Sequence, residues 1–279
     1  MSFAPTKPSI ITLTTDFGTS DSYVAQMKGV ILSINADVRI VDISHDVRPQ
    51  QVLQATYLTQ TAWPYFPPGA VHLAVVDPGV GSDRLPIVLY TQQGVYVGPD
   101  NGVLSAALPD EARPATCSTI PLPVGVRAFA ITDRRFMRER VSVTFHGRDV
   151  FAPAAAHLSL GVNVGELGEA IEGLVAMPSI RAERVADGSL QAEVIHIDRF
   201  GNVITSIRWE DLAAGQFSLQ VGDQSVRGPF ETYAQLQGLG ALAGSSGYLE
   251  IAAPNESAAE ALRVEIGARV RLEPERSFS

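Results

Sequence analysis

Up to about residue 176 the sequence alternates β-branched runs with amphipathic helical stretches; beyond about residue 190 only short runs separated by turns remain. That change of period constrains the fold more than any other feature. "SIITLTT" reads as a buried strand. After it, "YVAQMKGVILSI" places Val24, Met27, Ile31 and Ile34 on one helical face. "ADVRIVDIS" and "GAVHLAVV" read as further strands, and "RPQQVLQATYLTQTAWPYF" between them as a helix with Pro49 near its first turn. "LPIVLYTQQGVYVGPDNG" reads as a hairpin, and "RDVFAPAAAHLSLGV" as another helix with Pro153 close to its start. Strand–helix–strand repeats predict an α/β domain with a mainly parallel central sheet, over residues 1–178. The polar, turn-rich stretch 179–189 reads as a linker. Residues 190–279, with "LQAEVIHI", "GNVITSIRW", "QFSLQVG", "GYLEIAA" and "ARVRLEP", predict a smaller all-β barrel domain.

Composition narrows the function classes. Hydrophobic residues make up 46% of the 279, enough for a sizeable core. A net charge of −9 argues against nucleic acid as the main partner. The single cysteine, Cys117, allows neither an intramolecular disulfide nor a thiolate metal site, and reads as an inert thiol. No apolar run reaches the ~18–20 residues of a spanning helix, and "MSFAPTKPS" lacks a signal-peptide apolar region. The expectation is a cytoplasmic protein without membrane association.

Polar residues collect where the N-terminal strands end. Asp16 follows the first strand; Asp42, Ser44 and His45 close the second; Asp77 follows the third; Asp100 closes the hairpin. In open α/β sheets, ligands bind outside the carboxyl ends of the strands. Asp16 and Asp77 carry most weight, because each lies between an apolar strand and a glycine loop. Asp100 also fits an ordinary hairpin turn, and Asp42 a satisfied buried carboxylate. His146 stands before a predicted helix, for which Asp149 reads as an N-cap. HExxH, HxH, the phosphate-loop pattern and a nucleophile elbow are all missing. Without further information a metal phosphohydrolase is the fallback reading.

Five stretches in order, "TTDFGTSDSYVAQMKG", "VVDPGVGSDR", "FHGRDVFAPAAAHL", "IDRFGNVITSI" and "GSSGYLEIA", resemble the S-adenosylmethionine (SAM) hydroxide adenosyltransferases. These are adenosine-forming SAM hydrolases related to the fluorinating and chlorinating enzymes. The resemblance implies a homotrimer, with SAM between one subunit's N-terminal domain and its neighbour's C-terminal domain. It implies substitution at ribose C5′ by water or hydroxide, giving adenosine and methionine, with no metal or other cofactor. Asp77, Arg84 and His146 match the family's water-activating set. Asp16 matches the ribose-binding aspartate, and Gln50 falls beside the ribose. Asp21 and Asp198 match residues near the methionine ammonium. Phe200, Asn202 and Tyr233 match adenine contacts, and Ser245 and Ser246 the methionine-carboxylate region.

Departures from the halogenating relatives favour water. They have an arginine where Ser246 stands and a serine where Tyr23 stands. The fluorinating enzyme has a tryptophan at the place of Gln50 and a long insertion that is absent here. Its "IDRFGN" counterpart is one residue longer. Two alternatives stay open: a chlorinase-like halide adenosyltransferase, and a SAM- or adenosine-binding module without turnover. For the binding set, a plain β-turn at "DRFGN" and barrel-core positions for Phe200 and Tyr233 also stay open.

Overall fold

The computed structural model describes residues 10–212 and 215–274. The chain divides into two compact units, with the boundary between Ser179 and Ile180.

The first unit is built on a seven-stranded sheet. Its strands are β1 (Ile10–Thr15), β2 (Arg39–Ser44), β3 (Ala70–Val75), β4 (Pro86–Tyr90), β5 (Gly94–Pro99), β7 (Arg127–Ala130) and β8 (Ala170–Ile171), in the order β2-β1-β3-β5-β4-β7-β8. A separate pair joins β6 (Ser118–Pro121) to β9 (Gly173–Ala176). β2, β1, β3 and β5 run parallel, whereas β4, β7 and β8 are joined by antiparallel pairings. The sheet is therefore mixed, and the predicted hairpin is β4–β5.

Helix α1 (Tyr23–Ile34) buries Val24, Met27 and Ile31, the face its spacing predicts. Each such side chain removed from water stabilises the fold by roughly 1.5–3 kcal/mol. Helix α2 (Val52–Ala62) starts after Gln51, so Pro49 lies outside it. Thr56, Thr59 and Thr61 return their hydroxyls to the carbonyls of Val52, Ala55 and Tyr57, which lets this threonine-rich segment stay helical in a buried setting. Helix α3 (Ala152–Ser159) is preceded by a π-turn over Gly147–Phe151. Ile11, Leu13, Met27, Ile31, Leu73, Val97, Phe151 and Leu158 share the main core cluster.

The second unit is an antiparallel sheet. It comprises β10 (Glu183–Arg184), β11 (Leu190–Ile197), β12 (Val203–Arg208), β13 (Phe217–Val221), β14 (Gln224–Gly228), β15 (Gly240–Ala243), β16 (Tyr248–Ala252) and β17 (Arg269–Pro274). The order is β14-β13-β17-β11-β12-β16-β15, with β10 on β11. Phe230, just beyond β14, bridges to Leu242 in β15, which brings the sheet close to closing as a barrel. The short strand β10 lies within the segment 179–189 that reads as linker. Helix α4 (Ala258–Leu262) packs Ala258, Ala259 and Leu262 into the core of this unit. Among the described residues, no helix is long and apolar enough to cross a membrane.

Candidate active site

The register of the first sheet explains which acids meet. Thr15 pairs with Val75, so Asp16 and Asp77 emerge side by side from the carboxyl ends of adjacent parallel strands. β4 runs antiparallel and starts at that same edge, where Pro86 pairs with Pro99. Arg84, two residues before β4, is thereby returned to the edge that Asp77 left. Asn101 supports this corner: its Nδ2 donates to the carbonyl of Val76 at 2.8 Å.

Arg84 and Asp77 form a two-pronged ion pair. Nε donates to Oδ1 at 3.0 Å, and Nη2 donates to Oδ2. Both side chains are nearly buried, at 8% and 6% exposure. Nη2 also lies 2.8 Å from Nδ1 of His146. A guanidinium only donates, so Nδ1 accepts and the neutral ring carries its proton on Nε2. Nη1 of Arg84 is buried and has no acceptor among the described residues. Phe151 lies under the guanidinium, 5.3 Å from its carbon. Burial, and then the charge of Arg84, hold the His146 imidazole below its ordinary pKa; Asp77 and Asp149 oppose them.

Asp16 stands beside this group. Burial raises its pKa, the N–H of Gln50 opposes that, and the nearby charge of Asp77 adds to it. Its Oδ2 accepts the Gln50 N–H at 2.8 Å, and Gln50 holds a left-handed φ of 67° to present it. The Asp16 loop is fixed from below. Thr15 Oγ1 is 2.8 Å from His45 Nδ1, and the Gly18 N–H donates to the His45 carbonyl at 2.8 Å. Asp21 is exposed and joins none of these hydrogen bonds. Asp42 is ion-paired with Lys28 at 2.5 Å and is 40% exposed, so it is not the buried carboxylate its strand suggests. Asp100 accepts the Val175 N–H at 2.8 Å, a structural use.

The binding residues predicted in the second unit cluster around two turns. Asp198 Oδ1 accepts the N–H groups of Phe200 and Asn202, each at 2.9 Å, and Oδ2 accepts Asn202 Nδ2 at 2.9 Å. Gly201 takes φ 83° here, and a Cβ would stand 2.3 Å from Ser257 Oγ. "DRFGN" is thus a tied turn that displays Phe200, 79% exposed, rather than burying it in the barrel. Tyr233 is 51% exposed, not core, and donates to Glu250 Oε1 at 2.6 Å. Ser245 and Ser246 occupy the turn between β15 and β16, closed by Gly247 N–H to Gly244 O at 3.0 Å. Burial first, then the Glu250 contact, push the Tyr233 hydroxyl up to about 12. Burial likewise raises Glu250, which is 7% exposed. Asp198 acts electrostatically on both, so these loops share one neighbourhood. Glu250 escapes a motif-based reading; its only sequence signal is a charge between Leu249 and Ile251 in an apolar strand.

Family models for the N- and C-terminal domains of SAM hydroxide adenosyltransferase match residues 11–168 and 192–271. The chain belongs to the SAM hydroxide adenosyltransferase family. It is 41% identical over 208 residues to a Methanocaldococcus jannaschii protein named (R)-S-adenosyl-L-methionine hydrolase, covering 73% of this chain and 68% of that one. A Thermus thermophilus protein of the same name is 40% identical over 262 residues, 92% of this chain and 96% of its own. Relatives named fluorinase are less similar, at 26–27% identity. Among solved structures, a conserved Thermotoga maritima protein superposes with TM-score 0.82 at 31% identity, over 94% of this chain and 99% of that one.

Proposed function

We propose that the chain hydrolyses SAM to adenosine and L-methionine. The observation that carries this is the sharing of Arg84 between Asp77 and His146. A halide needs no deprotonation, so a halide transferase has no use for a buried cation wired to a neutral imidazole. Water does need it.

The reaction is an in-line substitution at C5′. The water oxygen forms a bond to C5′ while the C5′–S bond breaks, its electron pair leaving with sulfur as the neutral thioether of methionine. The leaving group needs no acid and the chemistry needs no cofactor. One proton must be lost from the water. At neutral pH His146 is uncharged; its one basic lone pair, on Nδ1, is engaged by Arg84 Nη2, so the water takes the place of Nη2 there and hands its proton to Nδ1 as the Arg84 bond breaks. Protonated there, Nδ1 no longer accepts from Arg84, and the freed Nη2 proton adds to the donors facing the forming hydroxide. Nη1, a buried donor without an acceptor among the described residues, is the group we assign to the water oxygen. Asp77 keeps the guanidinium oriented throughout. General base catalysis of this kind contributes ~10²–10⁴-fold.

Asp16 accepts the two ribose hydroxyls and so orients C5′. Asp21 and Asp198 favour the methionine ammonium. Gln50 serves the ribose site through its N–H to Asp16. Phe200 and Tyr233 line adenine, Asn202 binds its edge, and Ser245 and Ser246 receive the methionine carboxylate. We extend the reading to a cytoplasmic homotrimer with its sites at subunit interfaces, as the family resemblance implies.

The test is a product assay. Purified protein is incubated with SAM in halide-free buffer and again with excess chloride, and products are separated with mass detection. Adenosine and methionine in both are expected. A 5′-chlorinated nucleoside in the second would overturn the choice of nucleophile, and no product in either would overturn the enzyme reading.

A further inference from the structure

Asp149 is fully buried at the head of α3, yet it does not cap that helix. The helix starts at Ala152, and Asp149 lies inside the π-turn Gly147–Phe151. Single π-turns of this kind recur at functional sites. Oδ2 of Asp149 accepts the N–H of Ser142 at 2.9 Å and Nη2 of Arg148 at 2.8 Å; Oδ1 accepts Nε of Arg148 at 2.7 Å. Nη1 of Arg138 stands 3.7 Å from Oδ1. The main chain of Asp149 binds the same segment: its carbonyl accepts the Arg138 N–H at 2.9 Å, and its N–H donates to Phe145 O at 3.3 Å. One residue thus ties Arg138, Ser142 and Phe145, the segment that delivers His146.

Arg148 extends the tie. Its guanidinium lies over the Phe145 ring at 5.2 Å, and its Nη1 donates to Gln26 Oε1 in α1 at 2.9 Å. Phe145 in turn packs edge-on against Tyr23 at 5.1 Å and Phe17 at 5.6 Å, next to Asp16. Gly147 permits this closeness, since a Cβ would stand 3.1–3.3 Å from Phe145, Phe17 and Met27. A buried ion pair is a weak source of stability, because desolvation consumes most of the attraction. Its directional hydrogen bonds do fix geometry.

We propose that Asp149 is a positioning residue for His146, its carboxylate setting, through Ser142 and Arg148, the turn that holds the imidazole against Arg84. The proposal rests on the reading of His146 as the proton acceptor in SAM hydrolysis. The charged groups acting on the imidazole are Arg84 and Asp77 from the β3–β4 loop and Asp149 from the head of α3, where Asp149 is itself paired with Arg148 and Arg138.

These two roles, holding and merely charging, predict opposite signs. Burial and Arg84 are the main causes that depress His146. If Asp149 holds the turn, Asp149→Asn releases the ring from both and its pKa rises. If Asp149 acts only as a charge, the same change removes a group that favours imidazolium, and the pKa falls. The experiment is an NMR titration of the His146 ring in the full chain, assigned with His146→Gln, together with steady-state kinetics on SAM. For Asp149→Asn we expect the His146 pKa to rise by about half a unit or more. We also expect kcat to fall about tenfold or more with KM within about twofold, since small misplacements are costly in rate. A falling or unmoved pKa, or an unchanged kcat, overturns the proposal. Should Asp149→Asn not fold, Arg148→Met decides. It removes the fork and leaves the carboxylate, and an unchanged kcat and titration there also overturn the proposal. If the wild-type chain releases no adenosine, the hydrolase reading fails by itself, and the titration still decides the role of Asp149.

Discussion

Arg84 grips both oxygens of Asp77, seven residues back along the chain, with Nε at 3.0 Å from Oδ1 and Nη2 on Oδ2. The fork leaves Nη1 with no acceptor among the described residues. A lysine supplies the charge but neither the fork nor the spare donor. Arg84→Lys is therefore expected to lower kcat for SAM by about 10²–10³-fold, the range for losing a donor to a developing anion. KM should stay within about threefold. A variant whose KM rises while kcat holds would move Arg84 from catalysis to binding.

His146 carries a sign that can be worked out. Its pKa in the folded chain lies below the ordinary 6.5, through burial and Arg84. In the proposed reaction the neutral ring is the active form. Activity should be complete above pH 6.5 and decline only as pH falls through the lowered value. The acidic limb of the kcat/KM profile, which reports the free enzyme, should thus lie below 6.5 and vanish in His146→Gln, whose residual rate should be about 10²–10⁴-fold lower. An acidic limb that persists in His146→Gln would assign it to another group.

Gln50 holds φ 67°, a conformation a glycine adopts without strain, and serves Asp16 through its backbone N–H. Gln50→Gly keeps that N–H and relieves about 1 kcal/mol of left-handed strain, partly offset by a freer unfolded chain. The expected result is a chemical-denaturation midpoint equal to or above wild type, with KM for SAM within about twofold. A large rise in KM would show that the side chain, not the backbone, contacts substrate.

His72 reports on stability rather than catalysis. It is 2% exposed, stacked on Tyr96 at 5.1 Å and 2.9 Å from Thr12 Oγ1, and burial lowers its pKa to about 4. Above pH 6.5 it is neutral whether folded or not and contributes no pH dependence. As pH falls below 6.5 the unfolded chain takes up the proton first, and stability declines until the folded value near 4 is passed. The loss over that window is on the order of 3 kcal/mol. Denaturation at stepped pH should show this slope, and His72→Phe should flatten it; an equal slope in both chains would remove His72 as the cause.

Much of this molecule is legible in local periodicity. Helix α1 spans the residues that its apolar spacing marks, because one stripe of Val24, Met27 and Ile31 has a single way to be buried. The inner parallel strands β1, β3 and β5 are buried almost throughout and read as β-rich runs, whereas β2 at the sheet edge is largely exposed; the ends of β1 and β3 mark Asp16 and Asp77. The sequence likewise marks the change to short antiparallel strands in the second unit, since turn residues recur at strand spacing. Motif order points to the set Asp77, Arg84 and His146.

Other features exist only once distant segments meet. That Arg84 returns to Asp77 depends on where the β4–β5 hairpin docks: the hairpin itself is legible locally, but the parallel pairing of β5 with β3, which puts the start of β4 at the edge Asp77 leaves, is not. The left-handed Gln50 is held by a carboxylate 34 residues away in the chain, against its own backbone preference. Asp149 reads locally as a helix cap, yet a π-turn moves the helix start to Ala152 and turns the carboxylate toward Ser142. Glu250 sits in a run that looks like ordinary strand until Tyr233 closes over it. The division has a physical reason. Side-chain periodicity and turn chemistry act within a few residues and survive in the sequence, whereas ion-pair sharing, register and burial are set by which strand ends become neighbours.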